Sequence, residues 1–98
     1  METVELAIPT SHDSGALIAR IERAARAEGL DVGKRLTLRT FPGSIHWHLR
    51  RPNTKGVLEL TYWPSQGRLW FTVHANRRAE WIAPAIEQLR AGLQQAVV

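Results

Sequence analysis

Three histidines and one glutamate have the spacing for metal or acid–base chemistry. His46 and His48 flank Trp47 as a His-x-His pair, and Glu59 and His74 follow downstream. Residues two apart on a β-strand share a face, so the two imidazoles of a strand at 45–50 point the same way. Two imidazoles and a carboxylate can hold iron or zinc with open coordination positions. The His-x-His spacing is common, however, and a cross-strand charge pair between His48 and Glu59 accounts for both residues without an ion. In simple hairpin register His74 lies two strands from His48, on the order of 12 Å away, too far to share an ion. No metal and no cofactor are expected.

Nucleophilic chemistry has weaker support. His12, Asp13 and Ser14 are consecutive, whereas the members of a catalytic triad converge in space from separate positions; here they read as helix-capping residues. Ser44 and Ser65 fall in turns. There is no glycine-rich phosphate loop, and the absence of cysteine excludes thiol nucleophiles, disulfides and cysteine-based zinc sites. No catalytic residue is assigned, and the balance is against an enzyme.

The charge distribution carries more information. The chain has 98 residues and a formal net charge of +4. Between Lys34 and Arg78 stand nine basic residues and one acid, a net +8, while the flanks carry four arginines and eight acids, a net −4. Such asymmetry points to a polyanionic partner. About half of the residues are apolar once glycine is counted, a globular proportion rather than a disordered one. No apolar run approaches the ~18 residues of a membrane span, and Met1-Glu2-Thr3-Val4-Glu5 lacks the basic-then-apolar signature of a signal peptide. The expectation is a cytoplasmic protein with no membrane association, folded as one domain over 1–98.

The elements that must position these residues follow from periodicity. Val4, Leu6 and Ile8 alternate as a strand ended by Pro9. Thr10 or Ser11 caps a helix in which Leu17, Ile18, Ile21, Ala24 and Ala25 form the apolar stripe. Arg20, Glu22, Arg23 and Arg26 face water, Gly29 ends the helix, and Leu30 supplies the apolar contact beyond it. Strands are expected near 36–40, 45–50, 57–63 and 68–74, separated by turn-forming segments. The first is the least secure, because a Pro-Gly turn at 42–43 splays tight hairpins. A final helix carries Ile82, Ile86, Leu89 and Leu93, joined by Ala85 and Ala96, with Asn76 as a candidate cap. Pro84 requires either a helix start near Ala83, after a separate turn, or a kink. The order β-α-β-β-β-β-α gives an α+β fold: a single antiparallel sheet of four to five strands with two helices on one face.

Alternation assigns Ile45, Trp47, Leu49, Leu58, Leu60, Tyr62, Leu69, Phe71 and Val73 to the core face. Trp81 is expected to close the end of the core. Simple hairpins pair Trp63 with Arg68, Thr61 with Trp70, His48 with Glu59, His46 with Thr61, Leu38 with Trp47 and Leu36 with Leu49, matching apolar with apolar and polar with polar. The opposite face then carries Arg39, His46, His48, Arg50, Trp63, Arg68, Trp70 and His74, with nothing in the sequence to cover it. Uncovered tryptophans of this size mark a contact site.

The leading expectation is a non-catalytic nucleic-acid-binding module, single-stranded DNA or RNA first. Trp63 and Trp70 would stack bases, and Arg39, Arg50, Arg51, Lys55 and Arg68 would track phosphates. Arg77 and Arg78 strengthen it, because cations at a helix N-terminus oppose the dipole and a bound anion relieves the conflict. This use of a sheet face resembles that of RNA-recognition-motif and OB-fold sheets, although the motif's strand order and signature peptide are absent. Duplex binding through Arg77, Arg78 and the 51–55 loop is a variant: three strands between two helices are similar in outline to double-stranded-RNA-binding domains, whose motifs are missing. The alternative is a protein-interaction module or homodimer using the same face, since Trp and Arg also dominate protein interfaces.

Overall fold

The computed structural model describes residues 1–8 and 13–95. The fold is α+β, with one four-stranded antiparallel sheet and two helices. In chain order the elements are β1 (Glu2–Leu6), α1 (Ser14–Ala27), β2 (Ile45–Leu49), β3 (Leu58–Trp63), β4 (Arg68–Val73) and α2 (Ile82–Gln95). The sheet runs β1-β4-β3-β2, so β1 and β2 are its two edges. No helix among the described residues is long and apolar enough to cross a membrane.

The register follows the side-chain alternation. Trp63 pairs with Arg68, Thr61 with Trp70 and Glu59 with Thr72; across the next seam His48 pairs with Glu59 and His46 with Thr61. The core-face residues of these strands, except the partly buried Ile45, are buried with Leu17, Ile21 and Ala25 of α1 and Ile82, Ala85, Ile86, Leu89 and Leu93 of α2. Shifting a strand by one residue would turn this entire set outward. Trp81 packs at the margin of the same core.

Helix ends show where local chemistry decides. Asp13 caps α1 by accepting from the Ala16 amide at 3.1 Å. The cap expected at Thr10 or Ser11, and the strand end at Pro9, lie outside the described residues, as does Ala96. At the other end Gly29 takes φ +76°, its amide reaches the Arg26 carbonyl, and the Leu30 amide reaches that of Ala25. That is a paired C-terminal cap with Leu30 buried just beyond it. Asn76 does not cap α2: Ala75–Arg77 form a separate 3-10 turn, and α2 begins at Ile82. Pro84 thus falls in the first helical turn, where its missing N–H has no carbonyl to satisfy.

Two further expectations about the elements fail. The segment 36–40 is not a strand. It touches β2 through a single bridge, Leu36 with His46, and continues as consecutive turns in which Phe41 N–H reaches the Leu38 carbonyl and Ser44 N–H that of Phe41. Gly43 sits at φ +81°, and this turn carries the chain away from a tight hairpin. Leu38 consequently does not pair with Trp47, whose partner is Leu60 of β3, and instead lines a cavity shared with Phe41 and Trp70. Glu22 does not face water either: it is buried and receives both Arg35, through a two-pronged ion pair at 2.7 and 2.8 Å, and the Trp47 indole N–H at 3.0 Å. The Arg35 guanidinium holds the Glu22 carboxyl at a pKa of about 2, against the opposing effect of burial.

Candidate functional site

The residues singled out from the sequence separate into two groups. The first lies on the sheet face away from the helices. That face is covered, contrary to expectation. The 36–44 segment folds over it and sets Phe41 edge-on against Trp63 at 4.9 Å and Trp70 at 5.1 Å between ring centroids. Trp70 retains 6% exposure, and the Arg68 guanidinium lies 4.5 Å over its ring. Trp63 is half-buried and donates its indole N–H to the Pro42 carbonyl at 2.9 Å. Neither indole is the open stacking platform expected. The pattern of alternation specifies a second face but not what a neighbouring loop lays over it.

Beneath this cover is a cavity of about 320 Å³ lined by Phe41, Trp70, His46, Glu59, Thr72 and His74 among others. Glu59 lies directly across from His48, yet its carboxylate turns to the two diagonal histidines. Oε1 is 3.0 Å from His46 Nε2, and Oε2 is 3.0 Å from His74 Nε2. Diagonal neighbours on a sheet are within reach of a long side chain, so the expected His48–Glu59 charge pair is replaced by contacts of Glu59 with His46 and His74. His46 is buried, and its Nδ1 meets the buried Thr61 hydroxyl at 2.6 Å. Burial pushes the His46 imidazole below its ordinary pKa, and the opposing pull of Glu59 is the smaller effect. The His46 and His48 rings stand edge-to-face, 5.0 Å apart. His46, His48 and Glu59 form the cluster of potential metal ligands found among the described residues.

The second group gathers at the end of the sheet where β2 leaves and β3 enters. The loop joining them carries Arg50, Arg51 and Lys55, and the segment after β4 carries Arg77. Backbone contacts fasten the two: Val57 N–H reaches the Arg77 carbonyl at 3.0 Å, and the Trp81 indole N–H reaches the Lys55 carbonyl at 2.8 Å. Gly56 makes this approach feasible. It sits at φ +99°, and a Cβ there would fall 2.6 Å from the Ala79 Cβ. On the opposite side Asp31 and Arg50 exchange backbone hydrogen bonds at 2.7 and 3.1 Å. Arg50, Arg51, Lys55 and Arg77 are exposed and have no ion pair among the described residues. Arg51, Thr54, Lys55 and Glu80 surround one side of the half-buried Trp81 in a shallow depression.

The remaining sequence-selected cations are placed differently. Arg68 forms a two-pronged pair with Glu5 at 2.8 and 3.2 Å, and Arg78 pairs with Glu2 at 3.1 Å. Arg39 is exposed on the segment between Leu38 and Phe41, at the rim of the covered face. Sequence reasoning missed the role of Trp81 at the cationic end, having assigned it only to the core. Gly56, between a basic loop and a strand, was the available signal. No protein-family model, no curated protein and no solved structure matches the chain.

Proposed function

We propose that the protein is a non-catalytic nucleic-acid-binding module that grips the phosphate backbone with the cationic end of its sheet. The observation that carries the reading is the convergence of Arg50, Arg51, Lys55 and Arg77 from two loops, exposed and without ion pairs among the described residues. Among the described residues Glu80 is the single acid lining the depression beside Trp81, so positive charge is in excess there, and a row of phosphates would balance it. With Trp70 buried and Trp63 engaged, base stacking loses its platforms, and Trp81 is the remaining ring beside the cations. The reading therefore shifts from single-strand stacking toward backbone contacts that a duplex or a single strand can satisfy. A homodimer through the far face loses the same aromatic surface. A cytoplasmic location belongs to this proposal.

The test is fluorescence anisotropy with labelled single- and double-stranded oligonucleotides at 50 and 200 mM salt, together with the oligomeric state by light scattering. Saturable binding that weakens steeply with salt, by a protein that stays monomeric, supports the reading. Absence of binding at 50 mM salt, where phosphate contacts are strongest, removes it.

A further inference from the structure

Glu59 is surrounded by more imidazole than a counterion requires. A single protonated histidine would satisfy one carboxylate. Here His46 and His74 each hold one of its oxygens at 3.0 Å, and His48 stands directly across the strand seam. One potential ligand atom from each of His46, His48 and Glu59 lies within 4.8 Å of the other two. We infer that His46, His48 and Glu59 form a binding site for a first-row divalent metal ion, zinc foremost. This goes beyond the phosphate-binding reading and does not depend on it.

The geometry is close to what coordination needs. Zinc bound at about 2.0–2.2 Å from each ligand holds the donor atoms about 3–4 Å apart. Side-chain torsion supplies the remaining closure, because His46 and His48 project from one face of a fixed strand and Glu59 projects beside them from the next. The supporting contacts are already made. A metal-bound histidine characteristically gives its other ring nitrogen to an oxygen partner, and His46 Nδ1 has the Thr61 hydroxyl at 2.6 Å. That hydroxyl can donate or accept, so it suits the tautomer that turns the Nε2 lone pair toward a metal. Ligating carboxylates are themselves hydrogen-bonded, and His74 holds Glu59 Oε2 while leaving Oε1 directed at His46.

The donor set selects the ion. Two imidazoles and one carboxylate suit zinc and its first-row neighbours rather than magnesium or calcium, which take oxygen ligands. Three protein ligands leave at least one coordination position free. The adjoining cavity of about 320 Å³, walled by Phe41 and Trp70, has room for a water or a small anionic ligand there.

The experiment titrates the metal-free full chain with zinc against a colorimetric chelator, and with cobalt(II) followed by visible absorption. One equivalent should bind, with d–d bands of nitrogen–oxygen coordination. His48→Ala, a half-exposed position, should keep the circular dichroism spectrum and melting curve of the metal-free protein while weakening zinc at least tenfold. Thr61→Val should weaken it by about ten- to a hundredfold, as loss of an outer-shell partner does. His12→Ala should leave affinity unchanged. Glu59→Gln is informative if it folds, and His48→Ala decides if it does not. Absence of stoichiometric binding, or equal affinity in wild type and His48→Ala, overturns the assignment.

Discussion

The Trp47 indole N–H donates to the Glu22 carboxylate at 3.0 Å, joining the middle of β2 to the inner side of α1. Trp47 is fully buried, and Glu22 also takes the two-pronged grip of Arg35. A helix position that periodicity assigns to solvent thus anchors the sheet. Glu22→Ala leaves a buried indole N–H without its acceptor, and such a group costs about 1–3 kcal/mol. Urea denaturation should show more than that loss for Glu22→Ala, which also forfeits the Arg35 pair, and a smaller one for Glu22→Gln, whose side chain still offers the indole an oxygen and forfeits only the ionic part.

The same carboxylate makes stability depend on acid. Its pKa is held at about 2, below the ordinary 4.5, so the stabilisation is complete above pH 4.5 and disappears as pH falls through about 2. The full linkage is on the order of 3 kcal/mol. Wild type and Glu22→Gln should therefore differ most in unfolding midpoint near neutral pH and converge toward pH 2. A difference that stays constant from pH 7 to pH 2 would show that ionisation of Glu22 contributes nothing.

Trp70→Ala should report on packing before it reports on binding. The ring is covered by Phe41 and Arg68, and truncating a buried tryptophan costs about 3–5 kcal/mol. A much smaller loss is expected for Trp63→Ala. Phe41→Ala should raise the acrylamide quenching of tryptophan fluorescence by uncovering both rings. Unchanged quenching would mean that the 36–44 segment does not cover the face in solution.

Gly56→Ala should disrupt the fastening of the two loops at the cationic end. The positive φ strains any L residue by about 1–3 kcal/mol, and the new methyl meets Ala79. Thermal melting should record at least that strain, whereas the same substitution at Gly67, also at positive φ but with open space around it, should cost less.

The alternation of β2, β3 and β4 was legible because each strand has a strict two-residue period and a one-residue slip would expose the core. The pairings of His48 with Glu59 and Trp63 with Arg68 were therefore readable from residue type alone. Leu36 and Leu38 carry the same period without being a strand: Leu36 is exposed and bridges His46, while Leu38 lines the cavity on the covered face, and an apolar side chain that covers a sheet face looks in sequence like one that pairs beside it. Glu22 was misread because a helical period records which side a residue occupies, not whether a buried indole awaits it. The basic loop residues were legible as charge. Their gathering at one end depended on the close approach at Gly56, which no periodicity encodes.

The central claim, phosphate binding at the cationic end, is tested most directly by the slope of log affinity against log salt for wild type and for Arg51→Ala/Lys55→Ala/Arg77→Ala. Each phosphate contact contributes about 0.9 to the slope on duplex DNA, so removing three should flatten it by about 2.7 and weaken binding uniformly across sequences. An unchanged slope with unchanged affinity would contradict the claim and place any nucleic-acid contact elsewhere on the molecule.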